Sequence, residues 1–556
     1  MSFIFRVIFR GSKALHKYLG LLLVLYLLAM GLSGLLLNNP GPISSLSVPW
    51  AITPDNYQPH NWNRMYLRTG TIIGKEWFLA GKPGVAYSPD GGRSFTMLEQ
   101  GFPAPPYRRD TLGLLARPLN HDAEDTTAKP EDNPTIPPMV ELLAATRSGL
   151  YHQPPRQPWR LVELPGARGE AVVDVIATGR DVVAFTRRGA YRSPLPAHDI
   201  RPEATHAGAA QAEASTTYTF ESADLTAAPA DQPRRVPWFR ILHDMHNGEI
   251  IGPAGKWPLD LVALALLFLG LSALVIWYVP WRNRWLKRWR RRPGRFFTFC
   301  WPWHLKVGVY AMIFLVILGV SGALLRPPLL IALAPYSLNQ DHPLLTLSPR
   351  SDDFGGNIQK ALYLSASDQL LLATQGGFFQ GPADFSRPFA PRRVPVPIHG
   401  MGVTVLEEVE PGLILVGSFM GMYLWEEASG QTQRLPRPGL QGGNPYMSND
   451  LLSGVVMEKI PPQAGTGQWP RFRVDYHDGM MPTDPRDYRQ PPRMPAEVGR
   501  HTPMSLWHWL FELHNGRIFE KWLGIGYMLI VPIGGIGLLL LSLTGLYDWL
   551  YRRRKN

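Results

Sequence analysis

The sequence predicts an integral membrane α-helical bundle of four transmembrane helices, duplicated two plus two, with a large extracytoplasmic all-β domain of β-propeller-like character. Three observations carry this expectation. The apolar residues are concentrated in four blocks, the chain repeats its own landmarks, and the polar stretches between the blocks read as strings of short hairpins. With 54 Pro and 53 Gly among 556 residues, the chain cannot be helical throughout. A single Cys excludes a disulfide framework, a thiolate zinc site, an iron–sulfur cluster and covalent c-type haem attachment.

The four blocks are Tyr18–Leu37, Leu259–Tyr278, Trp303–Leu325 and Trp522–Leu546. Each supplies about the 20 apolar residues that a helix needs to cross a roughly 30 Å hydrocarbon core. Arg6, Arg10, Lys13 and Lys17 precede the first block, as in a secretory signal, but no small-x-small cleavage site follows it. It reads as an uncleaved span.

Orientation follows from the basic flanks. Eight Lys/Arg and no acid lie between Arg282 and Arg295, four more precede the first block, and four sit in Arg552–Lys555. With Lys306 these make 17 basic residues against Asp548 alone, leaving 39 basic and 43 acidic residues elsewhere. The net charge of +12 therefore reflects membrane topology, with anionic lipid headgroups as its partner and no nucleic acid. Both termini and the short loop are expected in the cytoplasm of a bacterium, the protein in its inner membrane, and most of the polar chain in the periplasm.

The boundaries that follow are residues 1–37 (N-terminus and first span), 38–237 (first outside β segment) and 238–279 (His motif and second span). Residues 280–302 form a basic loop and 303–326 the third span. Residues 327–504 form the second outside β segment, and 505–556 the His motif, fourth span and tail.

The duplication is visible within the chain itself. His16, Gly20, Gly31, Ser33 and Gly34 recur 288 residues later as His304, Gly308, Gly319, Ser321 and Gly322. Leu242-His-Asp-Met-His-Asn-Gly-Glu-Ile250 recurs 268 residues later as Leu510-Phe-Glu-Leu-His-Asn-Gly-Arg-Ile518. Both halves run the same way, so a pseudo-two-fold axis along the membrane normal is expected.

Outside the blocks, five stretches share one shape: strand, Gly-centred turn, aromatic. They are 78–87, 143–151, 183–191, 372–379 and 415–423. Ser88–Phe95 resembles the Asp-box turn of propeller blades. Regular hairpins drawn from both segments suggest propeller blades; two irregular β-sandwiches are the alternative. Asp122–Pro138 and Pro202–Pro233 read as low-complexity linkers.

An intramembrane His is expensive unless it is paired or ligating. His16 and His304 lie at equivalent depths, each with Gly (Gly20, Gly308) four residues on and so on the same helix face, where it would leave a flat slot. His246 and His514 are equivalent at the opposite face. Topology pairs His16 with His304 and His246 with His514, each pair a bis-imidazole site for the iron of a b-type haem, two in all. Interfacial anchoring is the bland alternative for any one of them. His243 and His508 have no equivalents and read as alternative ligands, proton-handling groups or surface residues. The His243/His246 spacing suits zinc on one helix turn, but no third ligand is evident. Trp238, Trp257, Trp507 and Trp509 flank the outer motifs as belt anchors or haem shields.

Leu15-His-Lys-Tyr-Leu-Gly20 with Ser33-Gly34, Trp303-His304 with Ser321-Gly322, and the two His-Asn-Gly motifs resemble the PepSY-associated transmembrane family. The resemblance covers roughly residues 1–40, 240–326 and 505–552. It implies four-helix haem b proteins of the inner membrane that reduce ferric siderophores in the periplasm. The chain departs from its relatives in carrying β-hairpin units where they carry compact α/β modules.

Taken together, the expected function is haem b transmembrane electron transfer, an oxidoreductase acting as a ferric-chelate or metal reductase. No nucleotide-binding glycine motif follows a strand, so quinol or a protein at the inner face would be the electron donor. The acceptor would be a periplasmic ferric chelate, metal ion or redox protein. The alternative is a non-catalytic membrane-anchored β-propeller that binds a partner protein or supports assembly.

Overall fold

The computed structural model describes residues 3–103, 107–118, 140–155, 157–196, 218–228, 235–286, 294–333, 335–339, 341–346, 358–439, 450–459, 468–484, 486 and 490–553. The linker Asp122–Pro138, most of Pro202–Pro233, and residues 287–293 and 554–556 of the basic segments lie outside the described residues. The chain divides into two compact units. One comprises Met1–Asn56, Gln232–Arg350 and Met504–Asn556, the other Tyr57–Asp231 and Ser351–Pro503.

The first unit is helical. Its elements are α1 (Phe3–Asn38), α2 (Trp238–Asn247), α3 (Lys256–Trp285), α4 (Arg295–Leu324) and the short α5 (Leu329–Leu333). The second unit contains α6 (Ala496–His501), after which the first resumes with α7 (Leu506–His514), α8 (Glu520–Leu523) and α9 (Ile530–Arg553). Among the described residues, four helical segments are long and apolar enough to cross a membrane, with mean hydropathies of 2.2–2.6. Each holds about 20 apolar residues without a charge, which only a helix can carry through lipid. The fourth differs from its expected start at Trp522: α8 ends at Gly524, whose positive φ of 51° breaks the helix, and a 3₁₀ stretch runs to Leu529.

Around the bundle α1 neighbours α3, α3 neighbours α4, α4 neighbours α9, and α9 returns to α1. Hence α1 faces α4 across the diagonal. Leu27, Val262, Leu266, Ala311, Leu315, Leu538 and Leu541 fill the middle. Lipid gives helices no hydrophobic reason to associate, so close backbone packing must do it. At the α4–α9 crossing a Cβ on Gly535 would lie 2.4 Å from the Gly319 carbonyl oxygen, so only glycine permits this approach.

Each His-Asn-Gly motif is a helix terminus. Gly248 (φ 87°) and Gly516 (φ 76°) take the left-handed conformation that ends α2 and α7. Asn247 Oδ1 then accepts from the Glu249 amide at 2.9 Å, and Asn515 Oδ1 from the Arg517 amide at 3.0 Å. The recurrence in sequence is therefore a recurrence of one turn.

Among its described residues the second unit is built of β-strands, with α6 as its α-helix. β1 (Thr69–Ile73), β2 (Glu76–Gly81), β3 (Gly84–Ser88) and β4 (Thr96–Met97) form one antiparallel set. Two four-stranded sheets follow: β5 (Thr111–Pro118), β6 (Val140–Thr146), β7 (Gly149–Gln153) and β8 (Arg160–Val162), then β9 (Val172–Ala177), β10 (Asp181–Thr186), β11 (Ala190–Pro194) and β12 (Glu221–Ala223). In the helical unit β13 (Arg235–Pro237) pairs with β14 (Ser337–Asn339). Two more four-stranded sheets comprise β15 (Ile358–Leu364), β16 (Gln369–Thr374), β17 (Gly377–Pro382) and β18 (Ala390–Arg392), and β19 (Val403–Glu410), β20 (Leu413–Ser418), β21 (Gly421–Glu426) and β22 (Thr432–Leu435). The last set is β23 (Leu452–Lys459), β24 (Gln468–Asp475) and β25 (Gly479–Pro482). β23 pairs in parallel with β1, so the first and last sets share one sheet.

All five hairpins anticipated from the sequence are present, as β2–β3, β6–β7, β10–β11, β16–β17 and β20–β21. The Ser88–Phe95 turn is satisfied from within: Asp90 accepts from the amides of Arg93 and Ser94 and from the hydroxyls of Ser88 and Ser94. Six apolar clusters group residues of different strand sets: Phe78 with Leu142, Val182 with Leu143, Phe185 with Leu370, Leu371 with Val416, Leu415 with Val455, and, within the shared sheet, Val456 with Ile72.

Polar groups also gather on the first strands of these sets. Lys360 Nζ donates to the Leu112 carbonyl at 2.9 Å, with Asp174 at 3.5 Å, and Lys459 Nζ donates to the Ala116 carbonyl at 2.9 Å. Glu407 sits among them with the Gln468 amide at 3.4 Å. Burial pushes its carboxyl up to about 7; Asp174 adds to that rise, while Lys360, Gln468 and Lys459 oppose it. A carboxyl whose folded pKa is raised stabilises the fold at low pH, and that contribution is lost as pH rises through about 7. Glu407→Gln should therefore flatten the pH dependence of thermal unfolding between roughly pH 5 and 8 and raise stability at the alkaline end. An unchanged slope across melts at several pH values would refute this assignment.

Candidate functional site

The bundle brings the four recurrent histidines together in two pairs. His16 on α1 and His304 on α4 face each other across the diagonal, ring centroids 6.5 Å apart. His246 and His514, at the ends of α2 and α7, lie 6.0 Å apart. Ser33, which holds His514, is 17 residues along α1 from His16, so the pairs are separated by roughly 25 Å at 1.5 Å per residue.

Every ring is anchored through Nδ1 by a hydroxyl from the other half of the duplication. His16 meets Thr544 Oγ1 at 3.0 Å and the Leu541 carbonyl at 3.1 Å, and His304 meets Ser272 Oγ at 2.8 Å. His246 meets Ser321 Oγ at 3.0 Å, and His514 meets Ser33 Oγ at 2.8 Å. Each hydroxyl already donates to a carbonyl one turn back: Thr544 to Leu540, Ser272 to Leu269, Ser321 to Ile317 and Ser33 to Ala29. With its proton so used, the hydroxyl can only accept, and Nδ1 must carry the ring hydrogen. Nε2 then holds the free lone pair. Among the described residues none of the four Nε2 atoms has a hydrogen-bond partner.

Glycines make room beside the rings. A Cβ on Gly34 would stand 3.3 Å from His514, on Gly322 3.1 Å from His246, and on Gly545 3.3 Å from His16. Gly20 and Gly308, the slot residues expected from sequence, abut Leu541 and Leu269 instead, where a Cβ would make ordinary contacts at 3.6 and 3.7 Å. Ser33-Gly34 and Ser321-Gly322 were visible as a recurrent dipeptide. Ser272, Thr544 and Gly545 escaped because α3 and α9 correspond at an offset of 272, four more than the His motifs.

Metal–nitrogen bonds of about 2 Å on either side of one iron place two imidazole centroids roughly 6 Å apart. Both pairs meet that spacing, with neutral imidazoles as the donor set. Burial pushes His246 down to about 3 and His514 to about 4, so both are unprotonated at neutral pH.

His243 and His508 lie outside the pairs. His508 Nε2 is 3.2 Å from Glu512 Oε1 and occupies the position of Arg240, which grips Asp244 at 2.7 Å in the first half. Buried Glu512 also receives Arg517 at 2.5 Å. Burial raises its pKa, but the bonds from His508 and Arg517 outweigh this and hold it well below the usual carboxylate range. Of the four tryptophans, Trp257 is 78% exposed and Trp507 stacks on Phe511.

No curated protein matches the sequence. Among solved structures, the chain is similar to the extracellular domain of the hybrid two-component system BT4673 from B. thetaiotaomicron. That match has 10% identity and a TM-score of 0.31, covering 70% of this chain and 30% of that one. A second structure of that extracellular domain, described as a one-component system, matches at 10% identity and a TM-score of 0.31, covering 72% and 32%. The chain thus spans about a third of the length of those structures. The model of the PepSY-associated TM region matches residues 13–552, nearly the whole chain and both histidine pairs. This multi-pass membrane protein belongs to the PepSY-associated TM region family.

Proposed function

We propose that the protein is a haem b electron-transfer protein of a bacterial inner membrane, a reductase passing electrons from quinol or an inner-face donor to a periplasmic acceptor such as a ferric chelate. The single observation that carries this reading is the two histidine pairs at opposite ends of one bundle, each with Nε2 free and Nδ1 fixed. A haem held by the two imidazoles of each pair would supply one-electron transfer. The residues do the rest. Four hydroxyls fix the tautomer and ring orientation, Gly34, Gly322 and Gly545 keep the ring flanks open, and the leucine core excludes water between the sites. The basic flanks support a topology with both termini and the short loop in the cytoplasm and the β unit in the periplasm. For that unit the reading is a closed six-bladed ring, supported by the six apolar clusters and the β1–β23 pairing.

Purified protein should show a Soret band that sharpens on dithionite reduction, and a colourless preparation would sink the proposal. In proteoliposomes of known orientation, an impermeant ferric chelate added on the β-unit side should reoxidise reduced haem rapidly. Reoxidation only from the opposite side would reverse the assigned direction.

A further inference from the structure

Beside the second pair lies a cluster that the haem reading does not use. His243, Asp244 and Glu249 each offer one ligand atom, and these atoms all fall within 4.8 Å of one another. His243 Nδ1 is 3.3 Å from Asp244 Oδ1, close to the separation of adjacent ligands on one ion. Asp244 is buried, whereas the His243 side chain is 48% exposed and gives the cluster access to solvent. The outer oxygens are braced: Arg240 binds Asp244 Oδ2 at 2.7 Å, and Lys256 binds Glu249 Oε1 at 3.0 Å. One carboxylate oxygen of Asp244, one of Glu249 and an imidazole nitrogen converge, with the cations as orienting partners beside them.

The duplication supplies a second observation, a contrast between the halves at this position. Asp244 corresponds to Glu512 and Glu249 to Arg517, both at the offset of 268. In the second half the Arg517 guanidinium lies directly on the buried carboxylate, 2.5 Å from Glu512 through both Nε and Nη2. In the first half the equivalent position carries a carboxylate, and the residue before the buried acid is His243 where the other half has Phe511. Both halves keep a covalent cation on the buried acid, Arg240 on Asp244 and Arg517 on Glu512, but only the first half adds an imidazole and a second carboxylate beside it.

We infer that His243, Asp244 and Glu249 form a binding site for a divalent metal ion. One imidazole and two carboxylates suit manganese, iron or zinc and disfavour cuprous copper, which seeks sulfur. The site lies one helical turn from His246, since His243 and His246 are three residues apart on α2. Binding is independent of haem; only a role for the bound ion as an electron acceptor rests on the proposed function.

Titrating full-length purified protein with Mn²⁺, and following loss of the free-ion electron paramagnetic resonance signal, should give one site per chain. His243→Ala and Glu249→Gln should each weaken it at least about tenfold, and Glu249→Arg, which copies the other half, should abolish it. Circular dichroism and the Soret band should be unchanged in folded variants. If Glu249→Arg does not fold, the two milder variants decide. No stoichiometric Mn²⁺ in the parent protein, or affinity unaltered by all three substitutions, overturns the site. A colourless protein that still binds Mn²⁺ would instead count against the haem reading alone.

Discussion

On the proposed haem b reading, replacing both His246 and His514 with alanine should remove about half of the haem and leave the rest spectrally unchanged, because the other pair is built from different residues at the far end of the bundle. His16→Ala with His304→Ala should do the same for the first site, and the quadruple variant should be colourless. Each pair is held by hydroxyls from both halves, so neither site can be lost piecemeal without its own helices. Ser33→Ala and Ser321→Ala should be milder. Losing the acceptor for Nδ1–H frees the ring to change tautomer or swing, which costs roughly 10–100-fold in metal-site affinity. Pyridine haemochrome analysis against protein concentration measures both effects. Full haem content in either double variant would refute the pairing.

The parts of this architecture that were legible in the sequence are those with a local physical cause. A span must present about 20 uncharged residues in a row, so the four blocks stood out; the exact start of the fourth did not, because Gly524 breaks it where hydropathy alone cannot see a backbone angle. The His pairs were legible because the duplication printed each histidine twice, at offsets of 288 and 268. Their hydroxyl partners Ser272 and Thr544 were not, since the stretch between His514 and α9 is longer than its counterpart and shifts the offset to 272. Five hairpins announced themselves through a glycine turn between apolar alternations. The sixth, β24–β25, did not, because Trp469-Pro-Arg-Phe-Arg breaks the apolar pattern of its first strand. The parallel pairing of β1 with β23 joins residues nearly 400 positions apart, such as Thr69 and Val455, and has no local signature at all.

That last sheet also contains the most consequential ion pair of the β unit. Arg473 on β24 and Asp450, just before β23, are both fully buried and bonded to each other. Arg434 approaches the other Asp450 oxygen at 3.6 Å, and Arg437 lies 3.4 Å from Asp475. Asp450→Ala would leave three guanidinium groups facing fewer carboxylates, with Arg473 shut away from water. Breaking a buried pair from one side costs about 3–5 kcal/mol, because the surviving charge has lost its compensation. Removing both partners is different: Asp450→Ala with Arg473→Met places apolar volume where the guanidinium stood and should recover most of that loss. The prediction is therefore a thermal transition of the β unit that falls by roughly 10 °C in the single variant and returns toward the parent value in the double. Haem content should hold in both, since the helical unit has its own core around Leu266, Leu315 and Leu538. A single variant as stable as the parent would mean that the pair is not closed in solution. A double variant no better than the single would locate the cost in lost packing around β23 and not in the stranded charge.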